Sequence, residues 1–349
     1  MGGPINANLN SFAWALFAFS PQRYGLDTRS LWLLGTVLGI LVAAYIIGWF
    51  LQEQPETTVN PAVIKTFNLR VRSWWMMSVI LVAGFMMGDT ATVVLFGLVS
   101  FWALREFITM TPTRRGDHRA LFWVFFVFTP AQYILVGMGD EYYGIYSVLI
   151  PVYATLFIPA RIALSGDSKR FLERSAKIQF GQLICVYALS HAPALLHLQL
   201  QTYENDMWVD WDARRNAGLL FYFVLLLQMN DVLQYGWGKL LGKRVIAPAI
   251  NASRTWEGFI GGVLSTTVLG AALFWVTPFS IWGAACMSLT IATMGFAGSM
   301  TMSAIKRDRG VRDYGTLVQG HAGVLDRIDS VCFAAPVFFH LTKAFMTGH

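Results

Sequence analysis

The chain has 349 residues, of which 55% are hydrophobic and only 13% are charged, and its formal net charge is +6. A chain this apolar has more hydrophobic surface than one water-soluble core can bury, so the composition excludes an ordinary soluble enzyme and predicts an integral membrane protein. No basic groove interleaved with aromatic residues accompanies the positive charge, which argues against nucleic acid as a partner.

Long apolar segments follow one another along the chain and predict an all-α, polytopic membrane protein. From their lengths we expect about ten membrane-spanning helices. They lie near residues 31–52, 73–88, 90–110, 120–138, 142–160, 177–197, 216–238, 258–277, 280–302 and 330–347. Segment 73–88 is the weakest prediction, because it is shorter than the roughly 20 residues that a bilayer requires.

The charges of the connecting loops predict the orientation of these helices. When alternate loops are assigned to the same side, 21 of the 26 Lys and Arg residues fall on one side. The acidic segments 140–141 and 204–212 fall on the other. The positive-inside rule places the basic side in the cytoplasm, and both termini then face the opposite side.

The loop between the last two predicted spans, residues 303–329, has an unusual composition that includes four Asp, four Gly and one His among several Lys and Arg. Guanidinium and ammonium groups bind phosphate oxygens. Carboxylates bind Mg²⁺, and glycines allow backbone N–H groups to approach a phosphate. The loop therefore predicts a site for a polyphosphate and a divalent metal. The alternative, a basic loop that only orients the protein, requires Lys and Arg but not the Asp, His and Gly.

Three carboxylates are candidates for the metal. Asp231 lies inside the apolar segment 216–238, where a carboxylate usually faces a cavity, a metal or a partner. A structural pair with an arginine or with Tyr235 is the alternative. Asp326 and Asp329 are spaced i, i+3 and share one face if the last helix begins there, which favours a cation between them. Asp329 could instead pair with Arg327 or cap the helix.

Two segments of the chain resemble the phosphatidate cytidylyltransferases, also called CDP-diacylglycerol synthases. The family's signature reads roughly Ser-x-x-Lys-Arg, then Lys-Asp, then His-Gly-Gly-x-x-Asp-Arg-x-Asp. The matching residues here are Ser303, Lys306, Arg307, Asp313, His321, Gly323, Asp326, Arg327 and Asp329. An upstream segment also matches, through Asn230, Asp231, Tyr235, Gly236, Gly242, Lys243 and residues 254–258. The resemblance covers about residues 216–345, and three positions depart from the pattern: Arg312 replaces Lys, Ala322 replaces Gly and Ser299 replaces an Asp.

The resemblance implies an enzyme that joins CTP to phosphatidate, giving CDP-diacylglycerol and pyrophosphate. It implies Mg²⁺ as cofactor, with a second, monovalent cation as an option. The implied catalytic residues are Asp231, Lys306, Arg307, Asp313, His321, Asp326 and Arg327. The implied substrate-binding residues are Arg254, Thr255, Glu257, Ser303, Arg312, Gly320 and Gly323. The metal ligands would be Asp326, Asp231 and Asp329, and Arg254 would hold either the lipid phosphate or the triphosphate.

The chain is predicted to have two regions: generic membrane helices in residues 1–215 and a catalytic membrane region in residues 216–349. We expect a location in a bacterial inner membrane, among lipids, with a polar cavity and the active site on the cytoplasmic side. Two other functions stay open. Ser299 and Ala322 are compatible with a diverged relative that acts on another lipid phosphate or as a non-catalytic partner. A transporter is the other, although no internal repeat is evident. Acyl-chain preference, CTP against dCTP, and a monomer against a homodimer are not decided by the sequence.

Overall fold

The structure, a computed structural model, describes residues 27–52, 75, 78–79, 82–111, 113–204, 207–311 and 323–347. These residues form a bundle of helices with two short antiparallel hairpins. The helices are α1 Thr28–Gln52, α2 Asp89–Met110, α3 Arg115–Met138, α4 Asp140–Ala163, α5 171–197, α6 Ala213–Leu241, α7 Trp256–Ala272, α8 Ile281–Arg309 and α9 Leu325–Met346. The hairpins pair β1 Gln201–Glu204 with β2 Met207–Asp210, and β3 Val245–Ala247 with β4 Asn251–Thr255.

Six of the described helices are long and apolar enough to cross a membrane: α2, α3, α4, α6, α8 and α9. They confirm the predicted all-α class. The predicted spans 31–52, 177–197 and 258–277 are helical as well, but they are not among these six. Segment 73–88 is described in part, at residues 75, 78–79 and 82–88, and it is not among these six. The count of ten spans therefore stays a prediction.

The C-terminal helices pack closely, and glycines make the closest approaches possible. α6 packs against α7 and α8, and α8 packs along α9, which also contacts α2 and α5. A Cβ atom at Gly262 of α7 would lie 2.3 Å from Cγ of Gln234 on α6. A Cβ atom at Gly298 of α8 would lie 2.7 Å from the carbonyl oxygen of Asp329 on α9. Small residues at these contacts bring the backbones that carry the predicted site residues close together.

The two segments that resemble the family signature meet at one end of the bundle. Arg307, near the end of α8, donates from Nε to the carbonyl oxygen of Ile250 in the β3–β4 hairpin at 3.1 Å. Nδ2 of Asn251 lies 3.4 Å from Oγ of Ser303. The sequence prediction placed both segments on the same side of the membrane, and this proximity agrees with it. The β1–β2 hairpin follows α5 and precedes α6, and its Thr202 donates to the carbonyl oxygen of Pro278, before the start of α8.

Candidate functional site

One face of α8 supplies several polar side chains to the site. Ser299, Ser303 and Lys306 are spaced i, i+4 and i+7, which places them on the same side of a helix. Ser299 and Ser303 are buried, in a helix that is otherwise mostly apolar. Because this face is turned toward the β3–β4 hairpin and α9, the three side chains meet residues from both matching segments.

Arg254, at the end of β4, connects three structural elements. Its Nη2 atom lies 2.7 Å from Oδ1 of Asp231 and 3.1 Å from Oγ of Ser299. Its Nη1 atom donates to Oε1 of Gln234 at 2.8 Å. The planar guanidinium can make these bonds at once, since its N–H groups point outward in a fixed fork. Asp231 therefore has the arginine partner that the sequence left as an alternative to a metal.

Thr255 and Glu257, both predicted to bind substrate, hold the backbone around Arg254. Oγ1 of Thr255 accepts the N–H of Gly258 at 3.1 Å and so caps the start of α7. The Glu257 carboxylate accepts the backbone N–H groups of Lys243 and Arg244 at 3.1 and 3.2 Å. The backbone N–H of Glu257 itself and these two donors lower the pKa of the Glu257 carboxyl, because they stabilise its charged form. The two residues thus fix the turn that presents Arg254.

A second ion pair joins α8 to α9. Nζ of Lys306 lies 2.7 Å from Oδ1 of Asp326, and their side chains are only 17% and 8% exposed. Asp326 stands in the first turn of α9, where the helix dipole favours a carboxylate. α9 starts at Leu325, before the predicted span 330–347, so the condition under which Asp326 and Asp329 share one helix face is met.

Asp329, one turn further along α9, lies between the two ion pairs. Its side chain is buried and accepts the N–H of Ser330 at 2.6 Å. The carboxyl group is within electrostatic range of Asp231, Asp326 and Lys306. We call Asp231, Arg254, Lys306, Asp326 and Asp329 the charged cluster. It joins the two matching segments in one place, with three carboxylates facing two cations.

The donor chemistry of the charged cluster fits Mg²⁺. Mg²⁺ prefers carboxylate oxygens and is usually bound by one or two of them together with water and substrate phosphates. Within the described part of the chain, no three Asp, Glu, His or Cys side chains stand close enough together to hold an ion by themselves. The predicted ligands Asp231, Asp326 and Asp329 therefore do not form a complete metal site by themselves.

Two residues that position the site, Glu106 and Gln234, are not among those predicted from the sequence. Glu106, near the end of α2, is buried and accepts the N–H groups of Val324 and Leu325 where α9 begins. It takes the capping role that the sequence offered to Asp329. The rule that singled out Asp231, a carboxylate inside an apolar segment, applies equally to Glu106 and would have found it. Gln234, one of the partners of Arg254, carries no comparable signal.

The remaining predicted site residues are placed as follows. Arg307 reaches outward to the hairpin, and Gly323 is buried just before α9. Arg327 lies in the first turn of α9, where its backbone N–H donates to the carbonyl oxygen of Val324 at 3.0 Å. The predicted residues Arg312, Asp313, Gly320 and His321 lie outside the described residues.

Comparison with known proteins gives an independent view of the chain. The model of the cytidylyltransferase family matches residues 68–345. An uncharacterized protein, YnbB of Escherichia coli K12, is 34% identical over 89% of this chain and 97% of its own length. A phosphatidate cytidylyltransferase of Haemophilus influenzae is 34% identical over 41% of this chain and 50% of its own length. One of Staphylococcus aureus is 34% identical over 35% of this chain and 49% of its own length. The chain therefore spans about half the length of the phosphatidate cytidylyltransferases that it matches.

Proposed function

Because the chain belongs to the cytidylyltransferase family, we propose that it transfers the cytidylyl group of CTP to phosphatidate, forming CDP-diacylglycerol and pyrophosphate. The observation that supports this most strongly is the charged cluster. It brings Asp231 and Arg254 of one matching segment against Lys306, Asp326 and Asp329 of the other. Two anionic substrates need cations at this end of the bundle, and the cluster offers Arg254, Lys306 and carboxylates that would hold a metal ion.

In the proposed reaction, an oxygen of the phosphatidate phosphate attacks the α-phosphorus of CTP. A new oxygen–phosphorus bond forms while the bond from the α-phosphorus to the bridging oxygen breaks, and pyrophosphate leaves with that electron pair. The attacking oxygen is already anionic, so the step needs no protein nucleophile. The contribution of the protein is then to position the substrates and neutralise their charge.

The residues of the charged cluster have roles in this scheme that follow from their present partners. Some N–H groups of the Arg254 guanidinium would bind a phosphate, while the hydrogen bonds to Gln234 and Ser299 hold the orientation of the guanidinium plane. Lys306 would neutralise a second phosphate group, with Asp326 holding it in place. Asp326, with Asp231 and Asp329 nearby, would hold Mg²⁺. A bound Mg²⁺ would supply charge stabilisation at the triphosphate oxygens.

The proposal is tested by adding radiolabelled CTP, phosphatidate and Mg²⁺ to the purified protein in detergent or lipid. We expect label in a lipid product and release of one pyrophosphate for each lipid labelled. Omitting phosphatidate or chelating Mg²⁺ should prevent both. Labelling of water-soluble products only, or none with any CTP concentration, would contradict the proposal.

A second candidate, a family member with a different lipid-phosphate acceptor, is favoured by Ser299. This serine stands where the family pattern has Asp, and it contacts Arg254 directly at 3.1 Å. The same assay distinguishes the two functions when phosphatidate is replaced by other lipid phosphates. Faster labelling of one of those lipids would favour the second candidate, and faster labelling of phosphatidate the first.

The departure at Ser299 gives a prediction about the metal. We expect Ser299→Asp to lower, several-fold, the Mg²⁺ concentration needed for half-maximal activity. A carboxylate at this position would compete with Asp231 for Arg254, leaving Asp231 more available to the cation. A Mg²⁺ titration of the variant beside wild type and Ser299→Asn, which adds no charge, measures the effect. A fall in activity at every Mg²⁺ concentration would show that the new carboxylate only crowds the site.

We propose further that the charged cluster faces the cytoplasm of a bacterial cell from its inner membrane, as the loop charges predict. Asp308→Cys and Glu141→Cys, each in a chain whose three native cysteines are replaced, report the two ends of the bundle, since both positions are exposed. A membrane-impermeant thiol reagent should label Asp308→Cys only from the cytoplasmic side and Glu141→Cys only from the other. Labelling of both from one side would refute the orientation.

A further inference from the structure

Glu106 is a buried acid in an unfavourable place for its own helix. It lies in the last turns of α2, where the negative end of the helix dipole disfavours a carboxylate. Its side chain is only 4% exposed. The neighbouring Arg105 is exposed and lies over the ring of Trp102, 5.4 Å from its centroid. Glu106 must therefore be stabilised by other groups.

The stabilising groups are backbone N–H groups at the start of α9, which have no acceptor within the helix. Oε1 of Glu106 accepts the N–H of Val324 at 3.1 Å, and Oε2 accepts that of Leu325 at 2.8 Å. The first N–H groups of a helix have no partner within the helix, and the cap residue Val324 has no side-chain oxygen to offer. Glu106 thus caps a helix whose first residue, Leu325, follows 219 residues later in the chain.

The cap acts on the part of α9 that carries the charged cluster. Asp326 is the next residue after Leu325, and Asp329 follows within one turn. One carboxylate accepts hydrogen bonds from two consecutive N–H groups. Together these bonds fix the position of the first turn along the axis of α9 and its rotation about that axis. They therefore set the direction in which Asp326 points toward Lys306.

We propose that Glu106 is a positioning residue for nucleotidyl transfer, acting through the first turn of α9 on Asp326 and Asp329. The inference rests on the proposed function. A purely structural role is the competing explanation, but the fold has other supports for α9. Leu325 is fully buried, Phe338 and Phe339 are buried in the core, and Lys343 pairs with Asp140 near the other end of the helix.

The test compares Glu106→Gln with Asp117→Asn. Glutamine keeps the length of the side chain but offers one oxygen and one N–H, so one of the two backbone donors of α9 loses its acceptor. Asp117 is a matched control, because it is also fully buried and accepts a backbone N–H, that of Arg114 at 2.9 Å, outside the charged cluster.

We expect Glu106→Gln to lower kcat by about 10- to 100-fold, the usual cost of losing a residue that orients a metal ligand, and to raise the Mg²⁺ requirement. Hydrogen exchange at residues 324–328 should accelerate. Asp117→Asn should reduce thermal stability while leaving kcat and the Mg²⁺ requirement of the folded protein unchanged. If Glu106→Gln does not accumulate, Glu106→Asp, which keeps the charge but shortens the side chain, is measured in the same way with the same expected direction.

Two results would overturn the inference: unchanged kcat and Mg²⁺ dependence in the Glu106 variant, or equal kinetic losses in the Asp117 control. Failure of the proposed function is a separate result, because wild type itself would then not transfer label from CTP. Hydrogen exchange and Mg²⁺ binding to the wild-type and variant proteins do not depend on that reaction. If neither differs between the two proteins, Glu106 does not position the first turn of α9.

Discussion

Asp326→Asn should reduce nucleotidyl transfer by roughly 100- to 1,000-fold, the range found when one preorganised electrostatic group is removed from an active site. Asparagine keeps the size of the side chain but removes the charge that would bind Mg²⁺ and that now holds Lys306. The measurement is kcat of the purified variant at saturating CTP and Mg²⁺. Asp308→Asn is the control, since Asp308 lies near the end of α8, two residues after Lys306, but its side chain is 66% exposed and pairs with Arg309.

This substitution also removes one charged partner of a largely buried ammonium group, and breaking such a pair costs about 3 kcal/mol of folding free energy. The double variant Asp326→Asn, Lys306→Gln separates that effect from the loss of chemistry, because it removes both charges. We expect the double variant to regain thermal stability and to remain inactive. Recovery of activity in the double variant would mean that Asp326 serves only as a partner for Lys306.

Arg254→Lys is the second substitution with a large expected effect, despite keeping the charge. One ammonium group cannot reproduce the bonds to Asp231, Gln234 and Ser299, and charge-assisted hydrogen bonds are each worth about 1.5–3 kcal/mol. We expect kcat/KM to fall at least about 10-fold, the equivalent of one such bond. The substrate whose KM rises will show whether Arg254 binds the lipid phosphate or the triphosphate.

Arg214→Lys is the matched control for Arg254. Arg214 also makes several bonds to a carboxylate, that of Asp212, but it is largely exposed and belongs to the first turn of α6, outside the charged cluster. Its replacement should leave both KM values unchanged. An equal loss of activity in the two variants would show that any arginine–carboxylate pair in this protein affects activity through stability alone.

Much of the fold could be predicted from the sequence, because each membrane helix corresponds to a long run of apolar residues. The predicted segments 90–110 and 280–302 agree closely with α2 and with most of α8. The two signature segments were assigned to the same side of the membrane, and their proximity at one end of the bundle agrees with that assignment. Loop charges and local spacing are properties of short stretches, and these can be read without knowing the tertiary structure.

The partners of individual charges could not be read in the same way. Nothing near Asp326 in the sequence indicates that Glu106 caps its helix, because that contact depends on how α2 packs against α9. The choice of Arg254 as the partner of Asp231 depends on the β3–β4 hairpin, whose short strands have little periodic pattern. The sequence left Asp231 with several alternatives, and the packing selected one of them.

Both ends of α9 make polar contacts with residues from the first half of the chain. Glu106 accepts hydrogen bonds from the first backbone N–H groups of α9, and Asp140 pairs with Lys343 near the C-terminal end of α9. The segment 216–345, which carries the motif residues, therefore depends on two carboxylates that lie outside it, at Glu106 and Asp140. In a fragment that starts at residue 216, the backbone N–H groups of Val324 and Leu325 would lose their acceptor Glu106. The ammonium group of Lys343 would lose the carboxylate of Asp140. The motif residues of segment 216–345 could therefore not be moved to another protein alone: Glu106 and Asp140 would have to accompany them.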